Sequence, residues 1–358
     1  MSGNRHHIVP RFLQKGFASR IIRKKKKEVV FTYRYLKNDI PPNTEFSTRD
    51  TIVSEYFYGK EGEVDADDEI TEVEKYKFSP LVAKMRNSTC NFDTSKTEIA
   101  ELIAHFSVRT KVVREGFTEM SQKWISGVRE IFTSEDTIET VSNRKVIENE
   151  LGQILAEADN EELKPLFEKF VFPLYQDDNF MKEVNSILGN VFSKLFDESN
   201  PSMRNSIKEG HNKSLLEHTI PQPRVEKYEQ LNWSVYETTS TLILGDVACI
   251  FREIGEKLFK PSCDIDKTGQ VYLPISSNKM LVGTIDTEEI ETDVKILNDA
   301  IASCSYEQFV CSENTQDKAN LIQTVGTNAY LASDDEIEIE LDEIRNNIQI
   351  MKDEKINE

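Results

Sequence analysis

The spacing of apolar positions changes period twice along this chain. "EVVFTYRYL" (28–36) is rich in β-branched and aromatic residues and predicts a strand. "NDIPPN" (38–43) breaks it, and "TIVSEYFYG" (51–59) predicts a second extended piece. From Asp67 the period becomes helical and stays so through most of residues 67–220. Ile99, Leu102, Phe106, Val113, Phe117, Met120 and Trp124 share one stripe, which predicts a long helix opened by a Ser95/Glu98 capping box. Shorter helices are predicted around 136–158, 161–172 and 178–197, with breaks at "ESNPSMRN" (198–205) and "TIPQPR" (219–224). Strand character returns at "WSVYETT" (233–239), "TLILGD" (241–246), "QVYLPIS" (270–276), "MLVGTI" (280–285) and "QFVCS" (308–312).

Strands at both ends around a helical middle predict an α+β fold. The expected architecture is a mixed sheet of N- and C-terminal strands in a single domain over residues 1–330, with the helical region at about 67–220. Residues 331–358 read as an acidic C-terminal tail. From Ser333 it carries ten acids against three bases, with Ile344, Ile348 and Met351 at helical spacing. A solvated acidic helix is the first reading of that tail, and a segment that docks a protein partner is the second.

Composition narrows the class. A hydrophobic fraction of 38% with 19 Phe and 11 Tyr supplies a packed core. No apolar run approaches the roughly 18 to 20 residues needed to span a bilayer, and the N-terminus has no apolar leader, so a cytoplasmic protein without a membrane partner is expected. The five cysteines (Cys90, Cys249, Cys263, Cys304, Cys311) include no CxxC pair and read as reduced core thiols. A net charge of −19 argues against a general nucleic-acid coat. The charge is uneven, however: Met1 to Lys37 holds eleven Lys and Arg against one acid, Glu28. Within it Arg20, Arg23, Lys24, Lys25, Lys26 and Lys27 form a block that could hold the phosphates of a nucleic acid, or simply be a solvated hairpin tip.

Several polar residues interrupt apolar faces. Glu74 falls near the middle of the face made by Ile70, Val73, Phe78, Leu81, Val82 and Met85, with Pro80 restarting the helix. Arg109 lies about 60° from the stripe of Phe106, Val113 and Phe117, with His105 one turn before it. Inward charges need compensation, so Glu74 and Arg109 are expected within direct or single-water reach. They form either an ion pair that fixes helix packing or a polar cleft. In a cleft Glu74 would bind a metal or move a proton, and Arg109 would hold an anionic group.

"HHIVP" (6–10) fits the strand of a His-Asn-His nuclease, where one residue holds a metal and the next histidine deprotonates water. The rest of that motif is missing. Residues 20–80 contain no histidine, and "GHN" (210–212) and His218 are far off in sequence. The alternative is an N-terminal plug with Phe12 and Phe17 buried. In either case Val9-Pro10 stiffens the chain after His7, so His7 is expected to point inward and His6 to be the more exposed. Asp246 ends "TLILGD", where a carboxylate could face a cleft or form an Asx turn. There is no GxSxG elbow and no Gly-rich phosphate loop.

The segment with His7, Val9, Pro10, Phe12 and Phe17 resembles the opening signature of the family named domain of unknown function 4238. The resemblance continues in order through Phe57–Gly59, Glu74 with Pro80, Arg109-Thr110, "LGD" (244–246), "YLPIS" (272–276) and "LNDAIAS" (297–303). It implies an architecture and a set of polar positions, and brings no established activity.

Together these readings point to an intracellular hydrolase, a metal-dependent nuclease or phosphoesterase. His7 would be base or ligand, Glu74 and Asp246 would be carboxylates for a divalent ion (Mg, Mn or Zn), and Arg109 with the basic block would hold phosphate. A defence or toxin role is an association with such an activity. The competing expectation is a non-catalytic interaction module in which the same residues are structural ion pairs.

Overall fold

The computed structural model describes residues 5–24, 27–42, 44–58, 67–87, 94–142, 177–285 and 288–356, together with Lys169. Lys25, Lys26, Gly59, Cys90 and most of the helices expected at 136–158 and 161–172 lie outside the described residues.

The strands are β1 (Arg5–His7), β2 (Arg20–Lys24), β3 (Lys27–Leu36), β4 (Phe46–Ser47), β5 (Val53–Glu55), β6 (Asn232–Glu237), β7 (Leu244–Gly245), β8 (Ile250–Glu253), β9 (Phe259–Lys260), β10 (Thr268–Ser276), β11 (Lys279–Thr284) and β12 (Gln308–Cys311). They form three sheets, ordered β1-β5, β6-β11-β10-β8-β9 and β2-β3-β12-β7, with β4 on β3. The fold is α+β. The pairings are antiparallel, so no sheet is mixed. N- and C-terminal strands do meet, but only in the sheet where β12 lies between β3 and β7. All nine residues of β10 are buried, in keeping with the continuous apolar run Val271–Ile275 at its centre. The ladder to β11 shifts register between Pro274 and Ser276, next to a residue with no amide to donate.

The helices are α1 (Arg11–Gln14), α2 (Asp67–Val73), α3 (Ser79–Asn87), α4 (Lys96–Val108), α5 (Lys111–Thr133), α6 (Glu135–Val141), α7 (Asp178–Glu217), α8 (Gln222–Tyr228), α9 (Val294–Cys304), α10 (Gln316–Asn320) and α11 (Asp334–Ile356). A π-helical turn, Glu74–Phe78, joins α2 to α3. Three expectations are corrected. The helix entering at Ser95 is not continuous: it stops at Val108, and Arg109 adopts φ −103° and ψ 43°, leaving Phe117 exposed on the next helix. Ser95 occupies the N-cap position but makes no side-chain capping bond. Helix α7 runs through Pro201 rather than ending at residues 198–205, whereas the break at 219–224 is present, with α8 starting after Pro221.

Contacts divide the chain into two compact units, Met1–Phe117 with Ile207–Leu331, and Thr118–Ser206 with Ala332–Glu358. The first holds all three sheets and a core that includes Leu13, Phe17, Tyr35, Phe78, Phe106 and Tyr272. The second is helical, built on Val128, Ile131, Ile337 and Leu341 with Ile344 and Ile348 packed against them. The acidic C-terminal segment is therefore not a solvated tail. Its apolar stripe forms part of the second unit's core, and Gly127 leaves room for Leu341, whose Cδ1 lies where a Cβ would stand. Among the described residues no helix is long and apolar enough to cross a membrane.

Candidate active site

The N-terminal segment enters the first unit as a short ladder. Arg5, His6 and His7 pair with Glu55, Ser54 and Val53. Strand alternation puts His6 on the side of Ile8 and His7 on the other. Ile8 is buried, so His6 is carried inward with it, to 2% exposure. His6 Nδ1 accepts the Tyr58 amide at 2.9 Å, and the two rings stack 5.3 Å apart. His7 is half-buried. The expected order of the two histidines is thus reversed, because the apolar neighbour at position 8, and not Pro10, sets which imidazole turns in. Gln14 secures the segment, donating to Val9 O and Thr51 O and accepting from the Thr51 hydroxyl at 2.6 Å.

The partner strand is bounded by unusual backbone. Ile52 and Tyr56 have φ of 50° and 52°. A β-branched residue there is strained and has to be held by its surroundings. Ile52 is fully buried, and its carbonyl accepts the Ile8 amide at 3.1 Å.

Arg109 is the centre of the cluster, at 2% exposure. Its Nε donates to the Tyr58 hydroxyl at 2.9 Å and Nη2 to His7 O at 2.8 Å. Nη1 donates to Glu74 Oε1 and also lies 2.8 Å from His105 Nε2. His105 Nδ1 sits 3.1 Å from Thr219 O, an acceptor only, so Nδ1 carries the proton and Nε2 accepts from Arg109. Burial lowers the His105 pKa to about 4, in keeping with a neutral ring. Glu74 opens the π-helical turn, and its side chain keeps 14% exposure. Such turns are rare and recur at functional sites. Glu74 and Arg109 therefore meet directly, as the sequence predicts, with Tyr58 and His105 completing the shell.

A second arginine, absent from the sequence-based reading, lies one helical entry further on. Arg114 Nε donates to His211 Nδ1 at 3.0 Å, Nη2 to Asn212 Oδ1 at 2.5 Å and Nη1 to Phe57 O. Its guanidinium stands 3.9 Å from the Phe57 ring centroid. His211 Nε2 donates to Val108 O at 2.8 Å, and burial lowers its pKa to about 4. So "GHN" does join this region, docked on Arg114, while His218 is exposed. Arg86 was also missed; it donates to Ile275 O, Phe12 O and Leu13 O, clamping the histidine segment from beneath. For Arg114 the sequence offers only a second arginine in "VRTKVVR" (108–114), and for Arg86 no local signal.

His7 has a buried Nδ1 with no hydrogen-bond partner. Its pKa falls to about 4, first through burial and then through the charges of Arg11, Arg109 and Arg5, against a raising backbone hydrogen bond at Thr51. Arg11 in turn is lowered by burial and by the charge of Arg49. Arg11, Arg109 and Arg5 thus form a collar of cations whose charge acts on His7.

Asp246 does not join this group. It is 2% exposed, with Oδ1 accepting the Tyr306 amide at 2.7 Å and Oδ2 the amides of Glu307 and Gln308 at 2.8 and 3.0 Å. Burial pushes its pKa up to about 6, against the three amides. Its observed bonds are those of a turn-forming carboxylate that sets the start of β12. Among the described residues no group of three or more His, Cys, Asp or Glu is placed to hold a metal ion, so His7, Glu74 and Asp246 are not assembled as a ligand set. In the basic block Arg20 pairs with Glu45 at 2.7 Å, and Arg23 and Lys15 both reach Glu28. Lys24 and Lys27 face each other across the β2–β3 hairpin.

The positions brought together here lie within one family match, described as "Protein of unknown function (DUF4238)" and covering residues 5–316. The chain belongs to this family. No curated protein and no solved structure matches it.

Proposed function

We propose that the chain is a hydrolase of phosphoester bonds, a nuclease or phosphoesterase, acting on the His7 side of the Arg109 cluster. The observation that carries this reading is the unpartnered Nδ1 of a neutral His7 inside a collar of arginines. A bound phosphate would offset the charges of Arg11, Arg109 and Arg5 and move the His7 pKa up from about 4, making it a stronger base, although burial, the larger cause of the lowering, stays. His7 would then take the proton of an attacking water. The water oxygen bonds to phosphorus, the phosphorus–oxygen bond to the leaving group breaks, and that oxygen takes a proton from solvent. Arg109, fixed by Glu74 and Tyr58, supplies a constant positive field. The strained Ile52 and Tyr56 and the π turn at Glu74 support this reading, since such features cluster at active sites. The basic block from Arg20 to Lys27, with Arg20 and Arg23 exposed, would add affinity for a polyanion without reading its sequence.

The residues do not fit a divalent ion. Glu74 is held by Arg109 and both oxygens of Asp246 accept amides, so no step is assigned to Mg, Mn or Zn.

The test is a cleavage assay on single- and double-stranded DNA and RNA, with each of the three ions and with chelator, for wild type and His7→Ala. Cleavage by wild type that falls at least 100-fold in His7→Ala supports the proposal, and no cleavage under any condition overturns it. A defence or toxin role would appear as fewer colonies when wild type, but not His7→Ala, is expressed.

A second reading has its own observation. Arg109 bonds Tyr58, Glu74, His105 and the His7 carbonyl, all protein groups, as expected of a structural keystone in a non-catalytic interaction module. On that reading His7→Ala changes partner capture or nothing at all.

A further inference from the structure

Away from the histidines, the first unit contains a cavity of about 800 Å³. Three segments line it: the turn at Thr239–Thr241 after β6, the first part of α9, and Glu313–Leu321 around α10. Its innermost charged group is Lys318, at 7% exposure. The ammonium donates a hydrogen bond to Thr241 O, and among the described residues no carboxylate lies within salt-bridge distance of it. Burial lowers its pKa from the ordinary value. The charges of Glu313 and Asp317 act on the ammonium but do not offset its burial, and three donors on one carbonyl leave two directions open.

The lining also carries Asp299, Glu313 and Asp317, none of which forms a salt bridge among the described residues. Nearby Asn298 is tied at both ends, accepting from Ile243 N and donating to Thr241 O, so it shapes the wall and has no free group for a ligand. The cavity thus carries both signs of charge on its lining. It is also within the usual size range of small-molecule sites.

We infer that this cavity binds a small zwitterion, an α-amino acid or short peptide, with its carboxylate on Lys318 and its ammonium toward Asp299, Glu313 and Asp317. Because acids outnumber bases on the lining, a ligand with an additional cation binds more tightly than one with an additional anion. A polyanion is repelled. This site shares no residue with the Arg109 cluster, and its test is independent of any hydrolase activity.

The experiment measures the melting temperature and calorimetric binding of the full chain with arginine, glycine, glutamate and glycylglycine. Acetate, methylammonium and inorganic phosphate serve as half-ligands at matched ionic strength. The expected result is saturable stabilisation by arginine, weaker for glutamate and absent for acetate or methylammonium alone. Lys318→Met should weaken arginine binding at least tenfold. If that variant does not fold, Asp317→Asn with Glu313→Gln, on the less buried side, should weaken it at least fivefold. The inference is overturned if no zwitterion binds, if phosphate or acetate binds as well as arginine, or if the variants keep wild-type affinity.

Discussion

His6 Nδ1 accepts the amide of Tyr58 at 2.9 Å, and its ring lies at 18° to the Tyr58 ring. His7, its neighbour, leaves Nδ1 unpartnered. Adjacent imidazoles therefore have different consequences on removal. His6→Ala strands a buried amide and should cost about 1–3 kcal/mol, whereas His7→Ala should cost about 1 kcal/mol or less. Urea unfolding of the two variants checks this, and equal losses would contradict it.

The Glu74–Arg109 pair is the costliest to break on one side. Glu74→Gln leaves a guanidinium at 2% exposure without its counter-charge, which should destabilise by about 3–5 kcal/mol. Replacing both residues in Glu74→Gln/Arg109→Met should cost less than the sum of the single changes. A double-mutant cycle from denaturant midpoints gives the coupling directly.

Acid should weaken the fold within a defined range. His7, His105 and His211 each titrate near 6.5 when unfolded and near 4 in the folded chain. The unfolded state therefore takes up protons first, so their stabilisation is full above pH 6.5 and is lost as pH falls through about 4. Asp246 acts in the opposite sense, with a folded value of about 6 against 3.8. Three groups outweigh one, so stability should fall between pH 6.5 and 4, and His211→Gln should make that slope shallower. Chemical denaturation at half-unit steps of pH measures it.

Asp246→Asn keeps the shape of the side chain but turns an NH2 toward amides that need an acceptor. With three amides served by two oxygens, at least one is left unsatisfied, at about 1–3 kcal/mol. Hydrogen exchange at Tyr306–Gln308 should quicken in this variant before exchange in β10 does.

Much of the strand pattern was legible because alternation and β-branching are local: β3, β6, β10, β11 and β12 lie where the sequence places them. Strand β8 was missed because four residues, two of them charged, carry too short a period. The same stripe that predicts one helix from Ser95 continues across Arg109, and only the tertiary shell of Tyr58, Glu74 and His105 makes the chain turn there. Glu74 and Arg109 were visible as charges on apolar faces. Tyr58, Arg86 and Arg114 were not, since each is an ordinary residue in its own segment and gains its role from partners far along the chain. Asp246 was visible as a strand-end carboxylate, but nothing local separates a ligand from a turn former.

Strand β3 has consequences for synthesis. Strand β2 pairs Lys27–Phe31 and β4 pairs Phe31 and Thr32 early, but Tyr33–Leu36 wait for β12, and Thr32 Oγ1 donates to Cys311 O across 279 residues. As the chain leaves the ribosome, that open edge stays uncovered through the whole helical insertion. A nascent chain halted before Gln308 leaves the Tyr33–Leu36 stretch of β3 without its β12 partner, the kind of edge that recruits other chains. Production of this protein should therefore depend on how long holding chaperones keep β3 apart from its neighbours.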